Sequence, residues 1–240
     1  MASNSQKGYL EVNHCVSCHK KIPQSIGWGD LFHPSPSNKL CKDCSALLEP
    51  ISLQKICTRC SKTMSEENQV CQDCLQWTKD PLYHNVLDQN RSLYMYNEAL
   101  KELIKRLKYQ RDWKIASCFA DEMNKMIREF PAYDLIVPIP LGNRRLHERG
   151  FNQTEALLYE ANLPFTSLLA RKDGEKQSKK SKKERIHTEN PFSLVGKEEL
   201  PGKKILLIDD LYTTGTTLRH AAYTLKNAEA KAVNSMTIGR

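Results

Sequence analysis

The sequence predicts an α/β fold in which helices cover a parallel sheet, preceded by a small cysteine-rich region. Three observations support this class. Eight of the nine cysteines lie between residues 15 and 74. After residue 90, apolar runs typical of strands alternate with segments of helical periodicity, as expected when helical crossovers join parallel strands. One of these runs, at 204–208, is followed directly by two acidic residues and a threonine-rich loop.

Composition and charge exclude several classes of protein. The 240 residues are 40% hydrophobic and 27% charged, which is typical of a folded chain and not of a disordered one. No apolar run approaches the ~18 residues of a membrane-spanning helix, and residues 1–9 do not resemble a secretion signal. We therefore expect a cytoplasmic protein without membrane insertion. The excess of 36 Lys and Arg over 28 Asp and Glu, a net charge of +8, favours a polyanionic partner.

All eight early cysteines occur as C-x-x-C pairs. Two such pairs supply the four thiolates of a tetrahedral Zn²⁺ site, so we predict structural zinc. A disulfide scaffold is disfavoured by the lack of a secretion signal, and a thioredoxin-like redox motif would need one pair and not four in tandem. The predicted zinc ligands are Cys15, Cys18, Cys41, Cys44, Cys57, Cys60, Cys71 and Cys74.

An internal repeat bears on how the pairs combine. The segment 15–22 is similar to 57–64, and 40–44 is similar to 70–74. Sequential, cross-braced and nested pairings are all open, and the repeat favours sequential pairing, with two zinc ions in two four-cysteine units.

The domain boundary is predicted after residue 80. Residues 1–80 would form the zinc-binding region with its two four-cysteine units, and residues 81–240 the α/β domain. The outer face of its first helix is predicted to be a solvated basic surface, formed by Lys101, Lys105, Arg106, Lys108 and Arg111. The predicted elements of this domain are a strand at 91–96, helices from 97 and at 116–130, a strand at 134–140, a loop, a helix at 153–161, strands at 165–170 and 204–208, a helix at 217–228 and a strand at 232–238.

The residues that follow the buried run at 204–208 are the strongest candidates for chemistry. Asp209 and Asp210 are expected to emerge into solvent at the carboxyl end of a strand, where parallel sheets bind ligands. Backbone N–H groups, hydroxyls and the start of a helix would form a phosphate cradle in the next loop. That loop contains Thr213, Thr214, Gly215, Thr216 and Thr217. The alternative without a ligand is an ordinary strand-to-helix turn with threonine caps. A Walker B strand would also end in acidic residues, but it is disfavoured because the chain has no P-loop motif.

This segment, Asp-Asp-Leu-Tyr-Thr-Thr-Gly-Thr-Thr, resembles the phosphoribosyl pyrophosphate (PRPP) signature of type I phosphoribosyltransferases. The resemblance implies a phosphoribosyltransferase-like domain that binds PRPP or a related ribose phosphate with Mg²⁺. It also implies that Asp209 and Asp210 hold the ribose hydroxyls and that the loop holds the 5′-phosphate.

Other segments resemble the ComF family of competence proteins. They are Val-Pro-Ile-Pro at 137–140, Arg144, Arg145, Arg-Gly-Phe-Asn-Gln at 149–153, residues 171–177, Arg185, Asn190 and Phe192, together with the cysteine-rich region and residues 90–96. The resemblance implies a role in natural transformation, in which single-stranded DNA enters the cytoplasm. It implies the ATPase ComFA and the DNA-loading protein DprA as partners, and recruitment to the inner face of the membrane at the uptake machinery.

A basic segment at 171–187 carries 8 Lys and Arg against 3 Asp and Glu, a net charge of +5. Three interpretations are open: a mobile loop over pyrophosphate, a DNA contact, or a solvated loop. The candidate pyrophosphate or DNA contacts are Arg144, Arg145, Arg149, Lys179, Lys180, Lys182, Lys183 and Arg185. Function is predicted as a competence factor, with a catalytic phosphoribosyltransferase and a structural adaptor that docks ComFA as the alternatives.

Overall fold

The chain forms two compact units, residues 1–47 and 48–240. Sequence analysis places a domain boundary after residue 80, whereas the second group of four cysteines packs into the larger unit. There Cys57 and Cys74 share a buried core with strand residues such as Ile205 and Leu207. The computed structural model describes residues 13–23, 39–52, 54–66, 69–173, 189–196 and 198–240.

Helices and strands alternate through the larger unit, as the sequence predicts. The smaller unit contains α1, Lys42–Ala46. The elements of the larger unit are α2 Gln72–Trp77, β1 Asn90–Tyr94, α3 Glu98–Tyr109, a 3₁₀ helix Trp113–Phe119, α4 Ala120–Arg128, β2 Leu135–Pro138, α5 Asn143–Arg149, α6 Gln153–Glu160, β3 Leu169–Arg171, β4 Phe192–Leu194, β5 Lys204–Leu211, α7 Thr216–Asn227 and β6 Ala232–Gly239. None of the helices in the described ranges is long and apolar enough to cross a bilayer.

A four-stranded sheet in the order β1-β6-β5-β2 forms the centre of the larger unit, and its three pairings are all parallel. The run Ile205–Ile208 of β5 is fully buried. Parallel strands covered on both faces are continuously apolar, which is why this run is visible in the sequence. The predicted α/β class with a parallel sheet is therefore confirmed.

Local sequence signals account for the helices next to the sheet. The side chain of Asn97 caps α3 by accepting a hydrogen bond from the Leu100 backbone N–H at 3.0 Å. The predicted apolar face of α3 is buried, and it consists of Leu100, Leu103, Ile104 and Leu107. The second predicted helix starts as the 3₁₀ helix and continues as α4.

Two predictions between residues 141 and 170 were wrong. The segment 143–149, predicted as a loop, is α5. The strand predicted at 165–170 lies outside the parallel sheet, and β3 instead pairs antiparallel with β4, Leu169 facing Leu194. The backbone N–H of Thr166 reaches the carbonyl of Ile136 in the edge strand β2 at 2.9 Å, but residues 163–168 form no strand there. The β3–β4 ribbon is therefore a separate two-stranded sheet beside the main one.

Candidate functional site

The acidic pair lies at the carboxyl end of β5, as predicted, but it is buried. Asp209 and Asp210 are 7% and 5% exposed. The prediction that both emerge into solvent was wrong, because β5 continues to Leu211 and because a lysine side chain packs against the pair. One carboxylate is also fixed locally, since Oδ1 of Asp209 accepts the Asp210 backbone N–H at 2.9 Å.

The lysine is Lys108, in the last turn of α3. Sequence analysis assigned it to a solvated basic face, and this was wrong: its side chain is 17% exposed and its Nζ forms an ion pair with the Asp210 carboxylate. Lys108 is aligned with charged neighbours that do face solvent, such as Lys101 and Lys105. The site therefore contains a largely buried cation that was not predicted.

Burial sets the electrostatics of the acidic pair. It raises the pKa of Asp209 well above its ordinary range, the Asp210 carboxylate raises it further, and Lys108 opposes both effects. When both carboxyls are ionised, two buried carboxylates with one lysine partner leave unbalanced negative charge. Carboxylate oxygens bind hard cations such as Mg²⁺ and accept hydrogen bonds from hydroxyls, so the pair suits a ribose with its metal.

The loop between β5 and α7 turns at Gly215. This residue has φ of +80° and precedes the first residue of α7. A side chain here would collide with the Tyr212 hydroxyl and the Arg219 guanidinium. The Thr214 and Thr216 hydroxyl oxygens lie 2.9 Å apart at the start of the helix. The geometry fits the predicted phosphate cradle, with a positive helix end and adjacent hydroxyl donors.

The carbonyl groups of this loop are held by residues far away in the chain. Arg240 donates from Nη1 to the carbonyls of Tyr212 and Thr213, at 3.2 and 2.8 Å. The indole Nε1 of Trp77 donates to the Thr214 carbonyl at 2.9 Å. Three consecutive carbonyls are therefore anchored, which fixes the orientation of the peptide units between them.

The predicted arginines of α5 form part of a cationic surface. Arg149 donates to Gln153 Oε1 at 2.7 Å and its guanidinium lies 5.5 Å from the Tyr109 ring centre. The Nε atom of Arg144 lies 3.9 Å from Oε1 of Glu148. Arg145 acts at longer range on Arg171 of β3, whose pKa is lowered first by burial and then by the charge of Arg145.

Arg171 connects this cationic surface to the acidic pair. Its charge interacts with those of Asp209 and Arg149 as well as Arg145. It also borders a cavity of about 410 Å³ between the residues that follow β2, including Pro140 and Asn143, and the β3–β4 ribbon. Arg171 could therefore offset the charge of an anion bound next to the acidic pair. The other predicted contacts, Lys179, Lys180, Lys182, Lys183 and Arg185, lie outside the described residues.

The eight paired cysteines form two clusters, grouped as the sequential pairing predicts. Within each cluster the sulfur atoms all lie within 4.8 Å of one another. The Sγ atoms of Cys18 and Cys41 are 3.7 Å apart, and those of Cys60 and Cys71 are 3.6 Å apart. A Zn–S bond of ~2.3 Å puts tetrahedral sulfur atoms ~3.8 Å apart, so both clusters could hold zinc. The clusters are Cys15, Cys18, Cys41 and Cys44, and Cys57, Cys60, Cys71 and Cys74.

Ser61 directly follows the third cysteine pair, at a position where the resemblance to the ComF family implies glycine. Ser61 has φ of +59°, a left-handed conformation that usually favours glycine. Its hydroxyl donates to the Asn90 carbonyl at 3.0 Å and accepts the Ser92 backbone N–H at 3.3 Å. The serine therefore joins the cysteine turn to β1.

Sequence reasoning missed four residues that surround the site: Lys108, Trp77, Arg219 and Arg240. Arg219 is buried, donates to the Tyr212 hydroxyl at 2.7 Å, and lies 4.6 Å above the Trp77 ring. These contacts join residues distant in the sequence, so no local pattern announces them. The one available signal was position, since Arg219 follows the threonine-rich loop by two residues.

A parallel sheet that ends in an acidic pair and a threonine-rich loop defines the phosphoribosyltransferase class of fold. The family description "Phosphoribosyl transferase domain" matches residues 146–239, which contain the acidic pair, the loop and β6.

Comparison with curated proteins gives the family. The chain is 36% identical over 241 residues to "Competence protein ComFC" of Bacillus subtilis (strain 168), covering 99% of each chain. It is 36% identical over 227 residues to the protein of the same name from Streptococcus pneumoniae (strain ATCC BAA-255 / R6), covering 94% of this chain and 99% of that one. "DNA utilization protein YhgH" of Escherichia coli (strain K12) is 26% identical over 239 residues, 91% of this chain and 93% of that one. The protein belongs to the ComF family.

Proposed function

We propose that this protein acts in natural transformation, by binding PRPP or a related ribose phosphate and by contacting incoming single-stranded DNA. The names of its relatives, "Competence protein ComFC" and "DNA utilization protein YhgH", support a role in DNA uptake and use. The observation that carries the ligand assignment is the buried pair Asp209 and Asp210 directly before the Gly215 loop.

Each part of the site has a role in holding the ligand. The carboxylates of Asp209 and Asp210 accept hydrogen bonds from the two ribose hydroxyls. The loop at 213–217 binds the 5′-phosphate through its N–H groups and threonine hydroxyls, which favour an anion at the start of α7. Arg171 would contribute positive charge toward the pyrophosphate, and Mg²⁺ bound with the ligand would supply more. The Lys108 ammonium pairs with the Asp210 carboxylate and offsets its charge in this buried position.

Zinc in the two cysteine clusters is the structural cofactor of this proposal. Four thiolates at tetrahedral spacing form a closed site with no position for a substrate, which is typical of structural and not catalytic zinc. The second cluster packs against the core of the larger unit, so its metal stabilises the same fold that carries the acidic pair.

The DNA contact is assigned to an exposed surface beside α5. It carries three exposed aromatic rings, Tyr109, Trp113 and Tyr159. The rings of Trp113 and Tyr159 lie 5.4 Å apart, and Arg149 lies over Tyr109. Aromatic rings next to arginines are the common means of binding single strands, each stacked base contributing ~1–3 kcal/mol. From the sequence, the lysines at 179–183 would add contacts to backbone phosphates.

This DNA contact has a direct test. We expect Trp113→Ala/Tyr159→Ala to weaken binding to fluorescent oligo-dT by about 10-fold or more, the value of one stacked base. Tyr96→Ala is the matched control, because Tyr96 is an exposed aromatic that precedes the opposite end of α3. Equal anisotropy titrations for all three proteins would remove this surface from the proposal.

The proposed partners are the ATPase ComFA and the DNA-loading protein DprA, with the protein acting in the cytoplasm at the inner face of the membrane. The residues that would contact either protein are not assigned. Co-purification of each partner with the tagged protein, compared with Cys57→Ser/Cys60→Ser, would test whether the second cluster contributes to docking.

Transformation frequency tests the function as a whole. The chromosomal copy would be replaced by Asp209→Asn/Asp210→Asn, and by Glu102→Gln as the matched control, since Glu102 is an exposed acid paired with Lys105. Losing two charge-assisted hydrogen bonds should reduce ligand affinity by about 100-fold or more. We expect transformation to fall accordingly at equal protein level. Wild-type transformation in the double variant would refute the ligand's role.

A catalytic phosphoribosyltransferase is the second candidate, and one observation favours it. The charges of Arg145, Arg149 and Asp209 all act on Arg171, and a cluster of arginines beside the acidic pair is an arrangement that would stabilise a departing pyrophosphate. Turnover requires an acceptor. Release of pyrophosphate that depends on an added nucleobase or other acceptor, and that disappears in Arg171→Met, would establish this activity.

A further inference from the structure

The second cysteine cluster is connected to the phosphate loop by a single arginine. Arg240 donates from Nη2 to Cys60 Sγ at 3.1 Å. From Nη1 the same guanidinium donates to the Tyr212 and Thr213 carbonyls, and it stacks 4.7 Å from the Tyr212 ring centre. A planar group with several fixed donors therefore spans from a predicted metal ligand to two peptide units of the loop.

A second connection runs through Trp77, the last residue of α2. This helix begins directly after Cys71 and contains Cys74. The Trp77 indole donates to the Thr214 carbonyl, and Arg219 lies against its ring while donating to the Tyr212 hydroxyl. The two connections leave the cluster from different elements, yet they end on three consecutive residues of one loop.

A metal bound in the second cluster would act on the phosphate loop through these contacts. Its four sulfur atoms are close enough to share one ion, and all four cysteines are buried. A bound metal would fix the position of Cys60, which accepts from Arg240, and, through Cys71 and Cys74, the position of α2, which carries Trp77. Groups just outside the ligands of a metal commonly transmit its influence in this way.

We propose that metal binding by Cys57, Cys60, Cys71 and Cys74 is coupled to ligand binding by the phosphate loop, with Arg240 and Trp77 as the positioning residues that carry the coupling. This coupling presupposes the ribose-phosphate site proposed above. It is positive and reciprocal: the metal pre-orders the loop, and a ligand on the loop strengthens retention of the metal. Couplings of this kind typically change affinity by about 5- to 150-fold.

The first test needs no ligand. Amide hydrogen exchange of residues 212–217 would be measured in the full-length zinc-loaded protein, in Arg240→Gln and in Trp77→Phe, which keeps an aromatic side chain but removes the N–H donor. We expect faster exchange in this loop in both variants while zinc content stays unchanged. Arg128→Gln is the control, because Arg128 is exposed and donates to the Asn124 carbonyl within α4. Loop exchange equal to wild type in both variants would overturn the proposal.

The second test measures the reciprocal effect. Zinc extraction by a chromogenic chelator would be timed with and without Mg²⁺ and PRPP. We expect the ligand to slow one of two extraction phases by about 5-fold or more in wild type. It should slow neither phase in the variant Arg240→Gln/Trp77→Phe. A ligand that binds wild type without slowing extraction would contradict the coupling.

The two tests separate the coupling from the ribose-phosphate site. If the loop exchanges faster in Arg240→Gln and Trp77→Phe but wild type binds no PRPP, the positioning role stands and the proposed ligand is wrong. If PRPP binds wild type but slows zinc extraction no more in wild type than in Arg240→Gln/Trp77→Phe, the ligand stands and the coupling is wrong.

Discussion

Replacing Lys108 by methionine removes the cation that pairs with a buried carboxylate. Methionine keeps the length and apolar stem of lysine, so little packing is lost. The side chains of Lys108 and Asp210 are 17% and 7% exposed, and the neighbouring Asp209 is also buried. Removing one partner of a buried ion pair costs about 3–5 kcal/mol, because the other charge stays buried without compensation. Lys108 retains some exposure, so we expect the lower end of this range.

Urea denaturation of the zinc-loaded protein at pH 8, followed by tryptophan fluorescence, would measure this loss. With a slope of ~2 kcal/mol/M, a loss of ~3 kcal/mol lowers the midpoint by ~1.5 M. The double variant Lys108→Met/Asp210→Asn should recover most of it, because the unpaired charge is removed as well. Lys105→Met is the control: its exposed pair with Glu102 should contribute less than about 1 kcal/mol.

The pH dependence of the Lys108→Met loss provides a second check. Lys108 opposes the rise in the pKa of Asp209, so its removal raises that pKa further. Protonated Asp209 carries no charge for Lys108 to compensate, so the part of the loss that depends on Asp209 should shrink as the pH falls through its pKa of about 8. A Lys108→Met protein within about 1 kcal/mol of wild type at pH 8 would refute the account of the buried pair. The account would also be refuted if Lys108→Met/Asp210→Asn were no more stable than Lys108→Met.

Three further changes have defined outcomes. Gly215→Ala should weaken PRPP binding by about 10-fold or more in calorimetry, because a side chain is strained at φ of +80° and collides with Tyr212. Burial and the adjacent Asp210 raise the pKa of Asp209 to about 8, so the affinity for a ligand that needs the carboxylate should rise by up to about tenfold for each unit by which the pH increases toward that value. Asp209→Asn should flatten this dependence; an equal slope would contradict it. Ser61→Ala should lower the free energy of unfolding by about 1–3 kcal/mol, since the Ser92 N–H loses its acceptor, and urea denaturation would measure this.

The sequence predicted those parts of the fold and site that have a local signal. The run at 204–208 is apolar because β5 is buried on both faces, and the acidic pair and Gly215 follow it directly. The cysteine pairs indicated two clusters because a C-x-x-C spacing suits a turn around one metal, and the repeat gave their sequential grouping. Asn97 and the apolar face of α3 placed that helix correctly.

The remaining features depend on contacts between distant residues. Lys108 shares its pattern with the solvated lysines of α3, and only the position of α3 beside β5 buries it against Asp210. Arg240 and Cys60 are 180 residues apart, so their contact has no local signature. The β3–β4 ribbon was mistaken for a central strand because a short apolar run has the same pattern in either kind of sheet.

Calorimetric titration of the zinc-loaded protein with PRPP and Mg²⁺ tests the central claim most directly. The comparison proteins are Asp209→Asn/Asp210→Asn and the control Glu102→Gln, each shown to be folded by its urea transition. We predict saturable binding, with one ligand per chain, in wild type and in the control, and no detectable binding in the double variant. Absence of binding in folded wild-type protein, or equal binding in the double variant, would contradict the claim that the end of β5 is a ribose-phosphate site.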